Sequence, residues 1–191
     1  MRIHQAVILS AGLGTRLRPY TDTMPKFMLP ILGKPMLLWH IQQFKKHGVT
    51  EFFVNLHYLP EVIKSYFGDG FKFGVKINYS FEPEILGTAG ALEKFEKLLD
   101  KHFFFIYGDI FSLVDYNKLY SAFLSKKDAI GMQRVQKNPV NYWDVDLAEM
   151  DKDGLFLKIY PKPHKKEIPG LYSMRGIFVF DKRITSYIPE N

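Results

Sequence analysis

The chain has 191 residues, is 47% hydrophobic and contains no cysteine, which predicts a single domain over residues 1–191 and excludes a disulfide framework or a thiolate zinc site. Its apolar start is too short for a signal peptide and no run is long enough to span a bilayer, so a cytoplasmic protein without a membrane partner is expected. A formal charge of +6 suits an anionic partner, but the basic residues are scattered among acids and form no nucleic-acid signature, which favours small anionic ligands over DNA or RNA.

In chain order, "QAVILSAG" is an apolar run ending in small residues and reads as a strand buried on both faces of a parallel sheet. A glycine-rich loop follows. "GKPMLLWHIQQFKKHG" predicts a helix, with Pro35 at its start, Leu38, Ile41 and Phe44 on one face and Gly48 as its stop. Next come a strand in "EFFVNLH", a short helix in "LPEVIKSYFGDG", a strand across "FKFGVKINYS", a helix over 88–99 and a strand in "HFFFIYGD". A helix over 115–125 and a strand in "DAIGMQRV" precede a change of texture, with strands on either side of a turn at Asp153-Gly154 and a last strand in "GLYSMRGIFVFDK". Alternating strand and helix predict a central, mostly parallel sheet flanked by helices, with a more β-rich C-terminal part.

The loop after the first strand reads "SAGLGTRLRPYTDTMPK", from Ser10 to Lys26. In an open α/β sheet such a loop lies at the carboxyl ends of the strands, where ligands bind. Leu17 occupies the position where a dinucleotide fingerprint needs a small third residue, and the only Gly-Lys pair, Gly33-Lys34, is followed by Pro35 instead of the Ser or Thr of a phosphate-binding P-loop. A kinase-type glycine loop lacks its partner motifs. Two readings remain from the spacing: backbone N–H groups closing on phosphate oxygens with Arg16 and Lys26 adding charge, or a surface turn with solvated cations.

The longer string "AGLGTRLRPYTDTMPK" followed by "LGKPML", together with "EPEILGTAGAL" at 82–92 and "YGDIF" at 107–111, resembles the signature of the sugar-1-phosphate nucleotidyltransferases, with motifs nearest to the mannose- and heptose-1-phosphate guanylyltransferases. The resemblance runs from residue 3 to near the end of the chain. It implies a Rossmann-like, GT-A-type α/β fold and the reaction of a nucleoside triphosphate with a sugar 1-phosphate to give a nucleotide sugar and pyrophosphate. Ser10, Ala11, Gly12, Gly14 and Thr15 would then cradle the nucleotide, Arg16 the triphosphate, and Lys26 the phosphates at the reaction centre. Asp109 would bind Mg²⁺, and Gly108 would let the ligand approach the backbone. The family's second metal carboxylate, in an Asp-x-Gly-Thr-like segment, has no counterpart here. Truncation is the expected reason; a substitute acid or a loss of full activity are the alternatives.

For the base, the resemblance assigns Glu82, with Gly87 and Thr88 beside it. A carboxylate only accepts hydrogen bonds and matches the adjacent N–H donors of guanine better than uracil, so GTP is favoured. On the sugar side Lys162 is retained as a sugar-phosphate ligand, whereas Trp143 replaces a glycine and Arg175 stands in an altered segment, which points to an unusual, more anionic acceptor. A UTP- or CTP-using relative and a non-catalytic nucleotide-sugar-binding subunit are the competing readings. His40, His47, His57 and His164 do not converge in sequence and carry no expected metal site or triad. Trp39 is assigned either to the core or to a homo-oligomer contact.

Overall fold

The computed structural model describes residues 2–137, 142–166, 168 and 170–189. In chain order the elements are β1 (Gln5–Leu9), β2 (Pro30–Ile31), β3 (Lys34–Pro35), α1 (Met36–Lys46), β4 (Glu51–Leu56), α2 (Pro60–Phe67), β5 (Lys76–Phe81), α3 (Gly87–Glu93), β6 (His102–Tyr107), α4 (Tyr116–Leu124), β7 (Gly131–Lys137), β8 (Leu147–Met150), β9 (Phe156–Tyr160) and β10 (Tyr172–Asp181). The chain divides into two compact units, the first comprising residues 1–132 and 178–191 and the second 133–177.

The first unit is a doubly wound α/β layer. Its strands run in the order β5-β4-β1-β6, and the pairs β1–β4, β1–β6 and β4–β5 are all parallel. Strands covered on both faces need apolar side chains at successive positions, and "AVIL" and "FFFI" supply them. Phe52 and Phe53, adjacent in β4, therefore point to opposite faces. On one side Phe53, Val7, Phe103 and Phe105 meet Leu92, Phe95 and Leu99. On the other, Phe44 of α1 lies against Phe52 and Phe104 and stacks on Tyr116 of α4, ring centroids 4.1 Å apart. Phe178 and Phe180, near the end of β10, complete the first of these faces against Phe105.

Two elements are shorter than the sequence pattern predicts. The strand expected across 71–80 begins only at Lys76, because Gly70 and Gly74 adopt φ of 92° and 66° and hold Phe71–Phe73 in a 3-10 turn. The helix expected over 88–99 ends at Glu93, after which Phe95 turns into the core and Glu96–Leu98 form a separate 3-10 turn. The helix α1 itself ends at Lys46, capped by His47 immediately before Gly48, whose φ is 95°.

In the second unit β8 pairs antiparallel with both β9 and the start of β10. This is the β-rich part anticipated from the sequence. A turn through Asp153 and Gly154 joins β8 to β9, with the Asp151 carboxylate accepting from the amides of Asp153 and Leu155. Trp39 belongs to the first unit and is engaged within it. Its Nε1–H donates to the Ile31 carbonyl at 2.7 Å, Lys34 lies over its ring and Phe111 meets its edge. It pins the β2–β3 hairpin to α1.

Phe44 contacts three rings and is completely buried, so Phe44→Ala should cost about 3–5 kcal/mol of unfolding free energy. Urea denaturation checks this; a loss below about 1 kcal/mol would mean that the α1 face carries little of the core energy.

Candidate active site

The order β5-β4-β1-β6 makes β1 the point from which the chain first winds one way, to β4 and β5, and then the other, to β6. The crevice of an open α/β sheet opens where the winding reverses, outside the carboxyl ends of the strands. Here the two bordering strands end in step. Leu9 is paired with Tyr107, and the amide of Gly108 donates to the Leu9 carbonyl at 2.9 Å. The loop after β1 and the turn after β6 therefore leave the sheet at one level.

Glycine is required at both exits. Gly14 has a φ of 67°, and a Cβ there would lie 3.0 Å from Thr21 and 3.1 Å from Lys26. The Thr21 hydroxyl donates to the Gly14 carbonyl at 2.9 Å, which closes the loop on itself. At Gly108 a Cβ would come within 2.5 Å of the Leu9 carbonyl and 2.9 Å of the Phe27 ring. Phe27 is buried between the two loops, and its neighbour Lys26 is thereby held over the crevice, where Nζ meets Asp109 Oδ2 at 2.6 Å. The pair is partly exposed, with 20% and 40% of the two side chains accessible. Its contribution to stability is accordingly small, about 1 kcal/mol or less. Its geometry matters more than its strength.

Gly12, Gly14, Thr15, Arg16, Lys26, Phe27, Asp109 and Ile85 border one cavity of about 510 Å³. This volume lies within the range of small-molecule sites. Of the six charged residues assigned from the sequence, Arg16, Lys26 and Asp109 thus border a shared hollow. Ser10 and Ala11, just before the lining residues in the chain, are buried, and the Ser10 hydroxyl is buried without a hydrogen-bond partner among the described residues. Gly87, with a φ of 72°, and Thr88 open α3 and are exposed, next to the stretch that brings Ile85 to the cavity.

Glu82 requires a correction. Its side chain is fully buried, one carboxylate oxygen accepting from Asn55 Nδ2 at 2.8 Å and the other from the Leu86 amide at 3.0 Å. Both oxygens are turned into the protein, so the direct contact with a base edge expected from the sequence does not match its placement. Lys162 and Arg175 belong to the second unit and have partners there. The ammonium of Lys162 lies 3.5 Å from the Asp144 carboxylate, and the Arg175 guanidinium donates to Gln136 Oε1 at 2.7 Å. Trp143 is half-exposed and packs on Tyr142.

Two residues that the sequence reading passed over support the site. His40, buried on α1, places Nε2 2.9 Å from the Gly108 carbonyl, immediately before Asp109. Asn55 of β4 accepts from the Ser10 amide at 2.6 Å. The available signal was the same for both: one polar residue inside an otherwise apolar helix face or strand, which must find an internal partner.

No group of three or more histidine, aspartate or glutamate side chains is arranged to hold a metal among the described residues. An accessible carboxylate such as Asp109, which has Lys26 as its ion-pair partner and no second carboxylate beside it among the described residues, suits magnesium, which is commonly bound through one or two carboxylates together with substrate phosphates. The donor set therefore fits a metal carried by the ligand rather than a dedicated protein cage. Among the described residues no helix is long and apolar enough to cross a membrane.

A parallel-sheet crevice lined by a glycine loop, two cations and a carboxylate has the chemistry to hold phosphorylated ligands. Residues 5–191 match the model of the nucleotidyl transferase family, and the chain belongs to that family of enzymes. It is 44% identical to D-glycero-alpha-D-manno-heptose 1-phosphate guanylyltransferase of Campylobacter jejuni, over 94% of this chain and 77% of that one. It is 36% identical to UTP–glucose-1-phosphate uridylyltransferase of a Synechocystis strain, covering 97% of this chain but 51% of the relative, so it spans about half the length of that enzyme. Among solved structures it resembles HddC from Yersinia pseudotuberculosis complexed with GMP-PN, with a TM-score of 0.78 and 25% identity over 98% of this chain and 81% of that one. The fold is also that of a UDP-glucose pyrophosphorylase, with a TM-score of 0.80, 18% identity and coverage of 99% and 80%.

Burial holds the pKa of His40 below its ordinary 6.5, against the opposing pulls of the Gly108 carbonyl and the Asp109 charge. The folded protein keeps this imidazole neutral while the unfolded chain takes up a proton near 6.5, so its contribution to stability is present above that pH and is lost as the pH falls towards the folded value. Melting temperatures should fall between about pH 7.5 and pH 5.5, and fall less in His40→Gln. Equal slopes in the two proteins would locate the acid sensitivity elsewhere.

Proposed function

We propose that this chain forms the catalytic region of a nucleotidyltransferase that joins a nucleoside triphosphate, with GTP favoured, to a sugar 1-phosphate and releases pyrophosphate. The observation that carries the reading is the meeting of Arg16, Lys26 and Asp109 with the glycine loop in one cavity. An oxygen of the sugar phosphate attacks the α-phosphorus, a new P–O bond forms, and the bond from that phosphorus to the departing pyrophosphate breaks. No covalent intermediate with the protein is needed. What is needed is positioning of two polyanions and relief of the charge that accumulates between them.

The chain's own groups supply this. Backbone amides of the loop from Gly12 to Arg16 enclose phosphate oxygens, Arg16 neutralises the leaving pyrophosphate, and Lys26 serves the reacting α-phosphate. Asp109 is the residue that would hold Mg²⁺, which when bound would supply positive charge against the negative charge of the phosphates. The mutual contact of Lys26 and Asp109 holds both at the cavity. Gly87 and Thr88 offer backbone groups to the base from the exposed start of α3.

With Glu82 turned inward, preference for guanine does not rest on its carboxylate. The 44% identity to a guanylyltransferase, over three quarters of that enzyme, supports GTP and makes a heptose 1-phosphate the first acceptor to test. The 36% identity to a uridylyltransferase keeps UTP as the second reading. Release of pyrophosphate from each nucleoside triphosphate, with a panel of hexose and heptose 1-phosphates and Mg²⁺, tests the proposal. Nucleotide binding with no release for any pair would favour a non-catalytic nucleotide-sugar-binding protein.

Lys26→Ala should lower turnover about a hundred- to thousandfold while leaving the melting temperature nearly unchanged, because its ion pair is partly solvated. A parallel loss of both would assign Lys26 a structural role. Asp109→Asn should abolish turnover together with its dependence on added Mg²⁺; unaltered metal dependence would show that another carboxylate holds the ion.

A further inference from the structure

Three side-chain hydrogen bonds run in series across the carboxyl ends of β1, β4 and β5. The Ser10 amide donates to Asn55 Oδ1 at 2.6 Å, Asn55 Nδ2 donates to Glu82 Oε1 at 2.8 Å, and the Leu86 amide donates to Glu82 Oε2 at 3.0 Å. Ser10, Asn55 and Glu82 are 3%, 2% and 0% exposed. The backbone of Glu82 is also fastened, its amide donating to the Leu56 carbonyl and its carbonyl receiving Nδ1 of His57 at 2.8 Å. A buried carboxylate whose side-chain partners are an amide group and a backbone N–H is costly to desolvate.

The direction of the series is not free to change. Both ends are backbone N–H groups, which can only donate. Asn55 must therefore turn its oxygen to Ser10 and its NH₂ to Glu82, and residue 82 must offer acceptors on both sides. One end of the series is the first residue of the phosphate loop, and the other lies beside Gly87 and Thr88. We infer that Asn55 and Glu82 are positioning residues that set the distance between the loop holding the triphosphate and the segment holding the base. The inference rests on the proposed nucleotide site and assigns neither residue a contact with the nucleotide.

The polarity of the series supplies its test. In Glu82→Gln the new NH₂ faces the Asn55 NH₂ or the Leu86 amide, and flipping either side group only moves the conflict. In Asn55→Asp two carboxylates face each other. In the double variant Asn55→Asp/Glu82→Gln the central hydrogen bond reverses, the residue 82 amide donating to the residue 55 carboxylate, while both backbone donors keep an acceptor. All positions are satisfied again.

The experiment measures Mg²⁺-GTP, Mg²⁺-UTP and inorganic tripolyphosphate binding to the whole chain by calorimetry, with melting temperatures in parallel. Tripolyphosphate engages the phosphate loop alone, whereas a nucleotide must engage loop and base segment together. The single variants should weaken the better-bound nucleotide about tenfold or more, as expected for leaving one buried polar group unsatisfied, with tripolyphosphate affinity changed less than about twofold. The double variant should restore nucleotide affinity to within about threefold of the unaltered protein. Leu86→Pro, which removes the terminal N–H without entering the core, provides a variant if the buried changes prevent folding. It should weaken nucleotide binding far more than Leu86→Ala, which keeps that N–H.

Nucleotide and tripolyphosphate affinities falling together with stability would overturn the inference, as would single variants that bind nucleotide normally, a folded double variant without rescue, or equal effects of the two Leu86 changes. An unaltered protein that binds tripolyphosphate but no nucleoside triphosphate would instead defeat the nucleotide site itself, and the inference with it.

Discussion

The hydrogen bond from the Gly108 amide to the Leu9 carbonyl is the constraint on which the site depends. Parallel strands can be paired at several offsets, and a change of offset at the border between β1 and β6 would move one loop along the sheet relative to the other. This bond continues the ladder one residue beyond the strand and brings the chain ends level. Phe27 then enters from the glycine loop and packs against Gly108, so the side chain next to it in sequence reaches Asp109. Backbone register thus decides electrostatics: an opposite-charge pair 83 residues apart in sequence meets at 2.6 Å.

The core and the polar site use the same strands at different depths. Val7, Phe53 and Phe105 are sealed within the sheet layer, whereas Ser10, Asn55 and Glu82, at or beyond the carboxyl ends of their strands, join side chain to backbone. The Ser10 amide and the Asn55 and Glu82 side chains are tolerable at this boundary because each finds a partner; half-satisfied, such a series would be more costly than an apolar replacement.

Much of this architecture was legible in the residues. Continuous apolar runs such as "AVIL" and "FFFI" announce strands covered on both faces, and the glycine-rich string with its two distant companions points to phosphate chemistry. Boundaries were less legible. The delay of β5 to Lys76 follows from the positive φ of Gly70 and Gly74, which a β-propensity reading of "FKFGVKINYS" overlooks. The break after Glu93 was hidden because Leu92, Phe95 and Leu99 keep helical spacing and share one core cluster on both sides of it, so the apolar pattern reads as one continuous helix. Side-chain direction was the least accessible. An acid at a strand end can face ligand or protein, and only the location of Asn55 shows that Glu82 faces inward. The same holds for His40, whose helical neighbours identify a core face without revealing the carbonyl it meets.

Gly108 and Gly12 both lie beside the ring of Phe27, but their surroundings differ in kind. A methyl group at position 12 would find the ring at 3.7 Å, an ordinary distance, whereas at position 108 it would strike both the ring and the Leu9 carbonyl, the latter at 2.5 Å. Trimming Phe27 can remove one of these obstacles and never the other, because the second is main chain inside the sheet. Genetic suppression should therefore be lopsided: second-site changes at position 27 have no route to accommodating a side chain at position 108, while the glycine loop can trade volume with that ring.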